Sequence, residues 1–215
     1  MTKTQYLAAW RNSHSAPDTF VIRGFLTVVY FFARFLISMR FTPNGATLLG
    51  GIVGSLAAVL VINENWLWAA VIAVISSLLD GVDGAIAEIT DRKTKFGSVL
   101  DAVVDRIVEL VWFTSLMAWG ADTTVVVVLG LTILLMEYLR AKANSLGLSG
   151  AGLITIAERP TRVIMFAMLC IGVASIGAEN QALTVGSLIL AGITWLAIVQ
   201  LFLRFSNQLR HNSSR

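Results

Sequence analysis

The chain has 215 residues, of which 56% are hydrophobic and only 13% are charged, and its formal net charge is +3. Soluble domains carry charge on about a quarter of their residues, so this composition excludes an ordinary soluble domain. The modest charge gives no indication of a nucleic-acid partner, and the lone Cys170 excludes a disulfide framework. Long apolar runs without strand-like alternation indicate an all-α integral membrane protein.

The first 42 residues differ from the rest of the chain. Residues 1–18 are polar and lack the apolar core and cleavage site of a signal peptide. The apolar segment Thr19–Met39 contains Arg23 and Arg34, and a charge at the bilayer centre is costly. We therefore expect residues 1–42 to form a cytoplasmic tail and an amphipathic helix at the membrane interface. A seventh span over Thr19–Met39 is the alternative.

Six apolar segments long enough to cross a bilayer follow Pro43. The predicted spans are Asn44–Ile62, Trp66–Ile89, Phe96–Trp119, Thr123–Ala143, Arg159–Ile176 and Leu183–Phe205. Together they predict one transmembrane domain over residues 43–206, with residues 207–215 as a cytoplasmic tail.

The distribution of basic residues predicts the orientation of these spans. The turns at 63–65, 120–122 and 177–182 contain no Lys or Arg, whereas all 16 basic residues lie on the other side or in helix portions near it. The positive-inside rule then places both termini, with the connections at 90–95 and 144–158, in the cytoplasm. The sequence predicts a multi-pass protein of the cell membrane.

Four aspartates are the most informative polar residues within the spans. Asp80 and Asp83 are three residues apart on the second span, and Asp101 and Asp105 are four apart on the third. Each pair shares one helix face, and the short connection makes the two helices antiparallel neighbours. Both pairs lie in the cytoplasmic halves of their spans, so the four carboxylates are expected to converge within the inner leaflet.

A divalent metal site is the natural interpretation of such a cluster. Carboxylates gathered at low dielectric repel one another unless a cation is bound. Oxygen ligands suit Mg²⁺ first and Mn²⁺ next, and the cluster lacks the His and Cys that zinc prefers. Two ions about 4 Å apart would clamp a phosphate or diphosphate. The nearby Gly84 and Gly97 fit either the close approach of a ligand or close helix packing.

The spacing of these residues closely resembles the signature of the CDP-alcohol phosphotransferase family, D-x2-D-G-x2-A-R-x8-G-x3-D-x3-D. The matching positions are Asp80, Asp83, Gly84, Ala87, Gly97, Asp101 and Asp105. The family's six-span layout, preceded by an interfacial helix, corresponds to residues 20–205. The resemblance implies transfer of a phosphoryl-alcohol group from a CDP-alcohol to an acceptor hydroxyl, with release of CMP.

The resemblance also implies roles for individual residues. It makes Asp80, Asp83 and Asp101 metal ligands, and Asp105 the general base and a further metal ligand. Gly84, Ala87 and Gly97, together with Asp80, correspond to the nucleotide site. A weaker match adds Asn44 and Thr47 of the first span to that site.

One position departs from the signature, because Glu88 stands where the family has arginine. That arginine would be expected to face the phosphates of the donor. Arg92, Lys93 or Lys95 could supply the missing cation. A different substrate or reduced activity are the alternative interpretations.

A second basic cluster indicates the acceptor. It consists of Arg140, Lys142, Arg159 and Arg162, at the cytoplasmic ends of the fourth and fifth spans. Four cations beside a metal site suit a phosphorylated acceptor, although positive-inside charge alone would also place basic residues there. The sequences around this cluster resemble the actinobacterial phosphatidylinositol-phosphate synthases of the family, in which such a pocket receives inositol phosphate.

The sequence therefore predicts a CDP-diacylglycerol-dependent phosphatidyltransferase of phospholipid biosynthesis. Its expected acceptor belongs to the inositol phosphate or glycerol 3-phosphate class, and membrane lipid and a second copy in a homodimer are its expected partners. A cardiolipin synthase-type enzyme using phosphatidylglycerol is the first alternative. A cation transporter and an inactive scaffold are the alternatives outside active enzymes.

Overall fold

The computed structural model describes residues 1–14, 19–147, 155–177 and 180–212, which are helical apart from short turns. Residues 148–154 of the predicted connection 144–158, residues 178–179 of the predicted turn 177–182 and residues 213–215 of the predicted tail lie outside this part of the chain. The helices are α1 (Lys3–His14), α2 (Phe20–Ser38), α3 (Pro43–Ile62), α4 (Trp66–Thr90), α5 (Lys95–Ser115), α6 (Thr123–Ser145), α7 (Arg159–Ile176) and α8 (Asn180–Asn212), with a 3-10 helix, Leu116–Trp119, directly after α5.

Five of the described helices, α3, α4, α6, α7 and α8, are long and apolar enough to cross a membrane. Large apolar side chains on their outward faces are exposed, such as Ile52 at 71% and Phe202 at 64%, as expected of a surface solvated by lipid. This confirms the prediction of an all-α membrane protein. The 21 residues of α5 are also sufficient in length, but five charged side chains interrupt its apolar character, so the count of six spans stays a prediction.

Small residues on α3 allow α4 and α5 to approach it closely. A Cβ atom on Gly54 would lie 2.6 Å from both Ser76 Oγ of α4 and Val108 Cγ1 of α5. The indole of Trp112 donates a 2.7 Å hydrogen bond to the Gly54 carbonyl, and Ser76 Oγ donates at 3.0 Å to the Gly50 carbonyl. Such small-residue contacts are the usual means of close helix packing in membranes. They bring the two aspartate-bearing helices to one side of α3.

The N-terminal region packs onto the opposite face of α4. Leu26 and Val29 of α2 form one apolar cluster with Val82 and Ile86 of α4, and Tyr6 of α1 joins it with 1% of its surface exposed. Helix α1 was not predicted, because its polar composition gives no apolar stripe; it is ordered by packing. Helix α8 extends seven residues past the predicted end at Phe205, which places most of the predicted tail 207–215 within a helix.

Candidate functional site

The α4–α5 pair forms an acidic cluster at the interface with α3 and α7. One carboxylate oxygen from each of Asp80, Asp101 and Asp105 lies within 4.8 Å of the other two. Helical spacing places each pair on one face of its helix. The packing of both α4 and α5 against α3, rather than the direct packing of α4 against α5 that the short connection predicted, brings the carboxylates together. The predicted convergence on one point is thus observed for three of the four aspartates.

Asp83 lies beside this cluster and is held by two donors. Its Oδ2 accepts a hydrogen bond from Thr47 Oγ1 of α3, and its Oδ1 accepts one from the Gly84 N–H. Asp83 is 6% exposed, so these bonds satisfy oxygens that have little access to water. Thr47 therefore fixes the orientation of Asp83 at the edge of the cluster.

A cavity opens next to Asp83 and Asp101, between the N-terminal end of α3, the C-terminal end of α4 and the N-terminal end of α5. Its lining includes five of the six residues predicted for the nucleotide site, and Asp80 lines a smaller adjoining cavity. The five are Asn44, Thr47, Gly84, Ala87 and Gly97.

The two glycines at the cavity differ in what surrounds them. A Cβ on Gly84 would have no described atom within 4 Å, so this glycine leaves open space rather than permitting helix packing. A Cβ on Gly97 would lie 3.1 Å from Asn44 Oδ1 and 3.0 Å from Thr94 Oγ1, which makes Gly97 a close-packing position. Of the two interpretations that the sequence leaves open, space for a ligand therefore fits Gly84 and close packing fits Gly97.

The donor set of the cluster fits a divalent cation. Three carboxylates within one ligand sphere repel one another, and Asp101 Oδ1 is buried with no hydrogen-bond partner among the described residues. A hard cation with oxygen ligands would satisfy both conditions. Asp80, Asp101 and Asp105 would hold it, with Asp83 adjacent.

Arg159, at the start of α7, lies directly against the acidic cluster. Its guanidinium forms ion pairs with Asp80 and with Asp105 Oδ1, the latter at 2.8 Å. A single arginine leaves the cluster with excess negative charge, because Asp83 and Asp101 add two further carboxylates. The predicted basic cluster and the aspartates are therefore contiguous through this residue.

The other predicted basic residues have different surroundings. Arg162 is 1% exposed, and its Nε donates at 3.0 Å to Glu109 Oε1 while its Nη2 lies 3.5 Å from Glu137 Oε1. Lys142, near the end of α6, is exposed. The four residues share one end of the bundle, but Arg162 faces carboxylates rather than an open surface.

Arg140 is fixed to the segment that precedes α7. Its two terminal nitrogens contact both oxygens of Glu158, one of them at 3.0 Å. Burial raises the pKa of Glu158, but hydrogen bonds from Arg140 and from Thr155 outweigh it, so the pKa lies below its usual value. The three acidic partners, Glu109, Glu137 and Glu158, were not predicted; their only signal in the sequence was the presence of ionisable residues in or beside apolar helices.

Glu88, the departure from the signature, is paired across the end of α4. Its carboxylate forms an ion pair with Lys93 Nζ, and the Lys93 and Arg92 side chains both line the cavity. The helix ends at Thr90 and is capped by Asp91, which adopts the left-handed conformation with φ 54°. The Arg92 N–H donates a hydrogen bond of 2.9 Å to the Ala87 carbonyl. This cap turns the chain back over the cavity.

Comparison with known proteins places this arrangement in a family. The sequence model described as CDP-alcohol phosphatidyltransferase matches residues 40–203. The archaetidylinositol phosphate synthase of Pyrococcus horikoshii is 31% identical over 170 residues, covering 77% of this chain and 84% of that protein.

Solved structures of a phosphatidylinositol phosphate synthase from Mycobacterium tuberculosis share the fold at 28% identity. The structure with CDP-DAG bound has a TM-score of 0.70 and covers 83% of this chain and 94% of that one. The structure with manganese and citrate has a TM-score of 0.71 and covers 82% and 88%.

Proposed function

Because the chain belongs to the CDP-alcohol phosphatidyltransferase family, we propose that it transfers the phosphatidyl group of CDP-diacylglycerol to a hydroxyl of inositol phosphate, releasing CMP. The observation that carries this proposal is the cluster of Asp80, Asp101 and Asp105 beside a cavity lined by the expected nucleotide residues. The similar synthases act in inositol phospholipid formation, and this ranks inositol phosphate above glycerol 3-phosphate and phosphatidylglycerol as the acceptor.

The residues of the cavity would orient the donor. Thr47 and Asn44 stand on α3, and Gly84 and Ala87 on α4, so the CDP moiety would lie between these helices with its diphosphate towards the aspartates. The open space at Gly84 leaves room for the nucleotide against the helix backbone. The acyl chains would extend sideways between helices into the lipid.

The enzyme is dependent on a divalent cation, with Mg²⁺ or Mn²⁺ the proposed ions and two the proposed number. Bound among Asp80, Asp83, Asp101 and Asp105, the metal supplies positive charge that stabilises the diphosphate oxygens as the bond to CMP breaks. This proposal rests on the donor set and on the manganese complex of the similar synthase.

Asp105 is the proposed general base. Its carboxylate would take the proton of the acceptor hydroxyl while that oxygen forms a bond to the phosphorus bearing diacylglycerol. The bond from this phosphorus to the CMP oxygen breaks, and CMP leaves with the electron pair. Asp105 is 9% exposed and adjoins Arg159, so the acceptor would approach from the side of α7.

The acceptor's phosphate would be bound by the basic cluster. Arg159 can turn from Asp80 and Asp105 towards this phosphate once the carboxylates are neutralised. Arg140 and Lys142 flank the same end of α6 and would complete the pocket. The ion pairs of Arg162 with Glu109 and Glu137 favour a supporting position behind it, in place of the direct contact that the sequence predicted.

The proposed setting is the cytoplasmic leaflet of the cell membrane, with six spans, both termini cytoplasmic and α2 at the interface. The basic residues at one end of the bundle support this orientation. The outward Phe31, Phe32 and Phe35 of α2 suit partial burial in lipid. We propose a homodimer by analogy with the family.

An acceptor panel tests the function. Purified protein with radiolabelled CDP-diacylglycerol and Mg²⁺ should release CMP with inositol phosphate, and not with inositol, serine or phosphatidylglycerol. Release of CMP with glycerol 3-phosphate alone would keep the proposed phosphatidyl transfer but make glycerol 3-phosphate its acceptor. Absence of release with every acceptor, in protein that remains folded and binds CDP, would support the inactive scaffold instead.

A further inference from the structure

The cavity beside the aspartates has a basic wall that the family signature does not supply. Among the described residues lining the cavity, Arg92 and Lys93 are the basic ones, and both follow the left-handed cap at Asp91. Asp83 and Asp101 line the same cavity. A ligand in this cavity therefore meets both carboxylates and cations.

The Glu88 carboxylate holds the ammonium group of Lys93 by an ion pair. The two are five residues apart, and the chain reversal at Asp91 brings Lys93 Nζ back against the Glu88 carboxylate. The side chain of Glu88 is 20% exposed and that of Lys93 is 60% exposed. An ammonium has three donors, and pairing with one carboxylate leaves the others available to a ligand.

We propose that Lys93 binds the phosphates of the CDP-alcohol donor and that Glu88 is the positioning residue that holds its ammonium at the cavity. This inference rests on the proposed function and extends it to the position where the chain departs from the signature. The family's arginine would lie on α4 at position 88. In this chain the cation is instead Lys93, on the turn that follows α4. Glu88 is then compatible with an active enzyme and does not indicate an inactive scaffold.

The geometry also identifies a matched control. Lys95 is two residues from Lys93 and is likewise exposed, but it begins α5 and does not line the cavity. Removing its charge changes the net charge and local potential of the turn in the same way. Any effect specific to Lys93 therefore reports contact rather than general electrostatics.

The test compares Lys93→Ala with Lys95→Ala in CMP release and in equilibrium binding of CDP to the folded protein. Lys93→Ala should raise the donor KM and the CDP Kd about fivefold, since one charge-assisted contact at an exposed site is lost. The acceptor KM should stay unchanged, and the loss should shrink at high salt. Lys93→Arg should restore most of the affinity.

A second variant tests the relation to Glu88. Glu88→Arg, introduced into the Lys93→Ala protein, should recover donor affinity by returning a cation to the helix. Equal donor affinities for Lys93→Ala and Lys95→Ala would overturn the proposal, as would a Lys93→Ala defect confined to the acceptor KM. The proposed function fails separately, by absence of CMP release from the unmodified protein with every acceptor.

Discussion

Asp105 combines burial, contact with Arg159 and a place at the acidic cluster. Asp105→Asn preserves its size and removes its capacity to accept a proton. We expect kcat to fall by about 10²–10⁴, as for loss of a general base, with an unchanged thermal midpoint. Glu64→Gln, in an exposed turn at the far end of the bundle, is the control. Activity of Asp105→Asn within tenfold of the parent would remove it as the base.

Arg162 is almost completely buried against a fully buried Glu109. Arg162→Ala would leave that carboxylate without its closest partner, which costs roughly 3–5 kcal/mol in comparable buried pairs. We expect a large decrease in the thermal midpoint in detergent. Replacing both residues by leucine should recover much of the loss, because Glu137 keeps its 2.6 Å contact with Arg106. A stable Arg162→Ala protein with a raised acceptor KM would instead support direct phosphate binding.

Glu158 makes stability depend on pH in a defined direction. Burial opposes its charge, yet Arg140 and Thr155 hold the pKa below the usual value, so the folded state binds its proton more weakly than the unfolded state does. The stabilisation is present above the unfolded pKa of about 4.3 and is lost as the pH falls through the folded value. The thermal midpoint of wild type should therefore exceed that of Glu158→Gln at pH 7, and the difference should shrink progressively as the pH is lowered below the unfolded pKa.

For individual residues, the shared helix faces of the aspartates could be predicted from the sequence. Their spacing predicted which side chains share a face, because helical periodicity is local. The partners of the basic cluster could not be predicted, since Glu109 meets Arg162 only through the packing of α5 against α7. The same holds for Thr47 and Asp83, which lie 36 positions apart.

At the scale of elements, the glycines of α3 position the site because they let α4 and α5 approach closely. Gly54→Ala would place a Cβ 2.6 Å from atoms of both α4 and α5. Both helices would then have to shift away from α3. We expect a lower thermal midpoint and weaker Mn²⁺ binding, measured by its paramagnetic signal. Gly172→Ala in α7 is the matched control, because its Cβ would meet open space and alanine favours helix by about 1 kcal/mol. Equal stability of the two variants would contradict this role of α3.

The helices themselves were largely predictable, because apolar runs of spanning length are a strong signal. The start of α3 at Pro43 and of α7 at Arg159 agrees with the preference of proline for the first helical turn. Helix α1 and the extension of α8 were missed, since their residues are polar and the signal for helix there is weak.

Orientation belongs to the whole molecule and can be measured with cysteines. Cys170 is buried, and a Cys170→Ala background removes this single native thiol. Asn63→Cys lies in a turn without basic residues and Ser145→Cys near the basic cluster, both at exposed positions. In intact cells a membrane-impermeant maleimide should label the first directly and the second only after permeabilisation. The reverse pattern would invert the proposed topology.

The cap at Asp91 has an evolutionary consequence. A cation carried on the turn after α4 can be gained without altering the helix, since the backbone there is set by the left-handed residue and not by position 93. A lineage with arginine at position 88 could first acquire lysine at 93 and later exchange the arginine for glutamate, keeping positive charge at the donor throughout. The opposite order passes through an ancestor with no cation at either position. Relatives carrying both cations are therefore the expected intermediates, and ancestors lacking both should be rare.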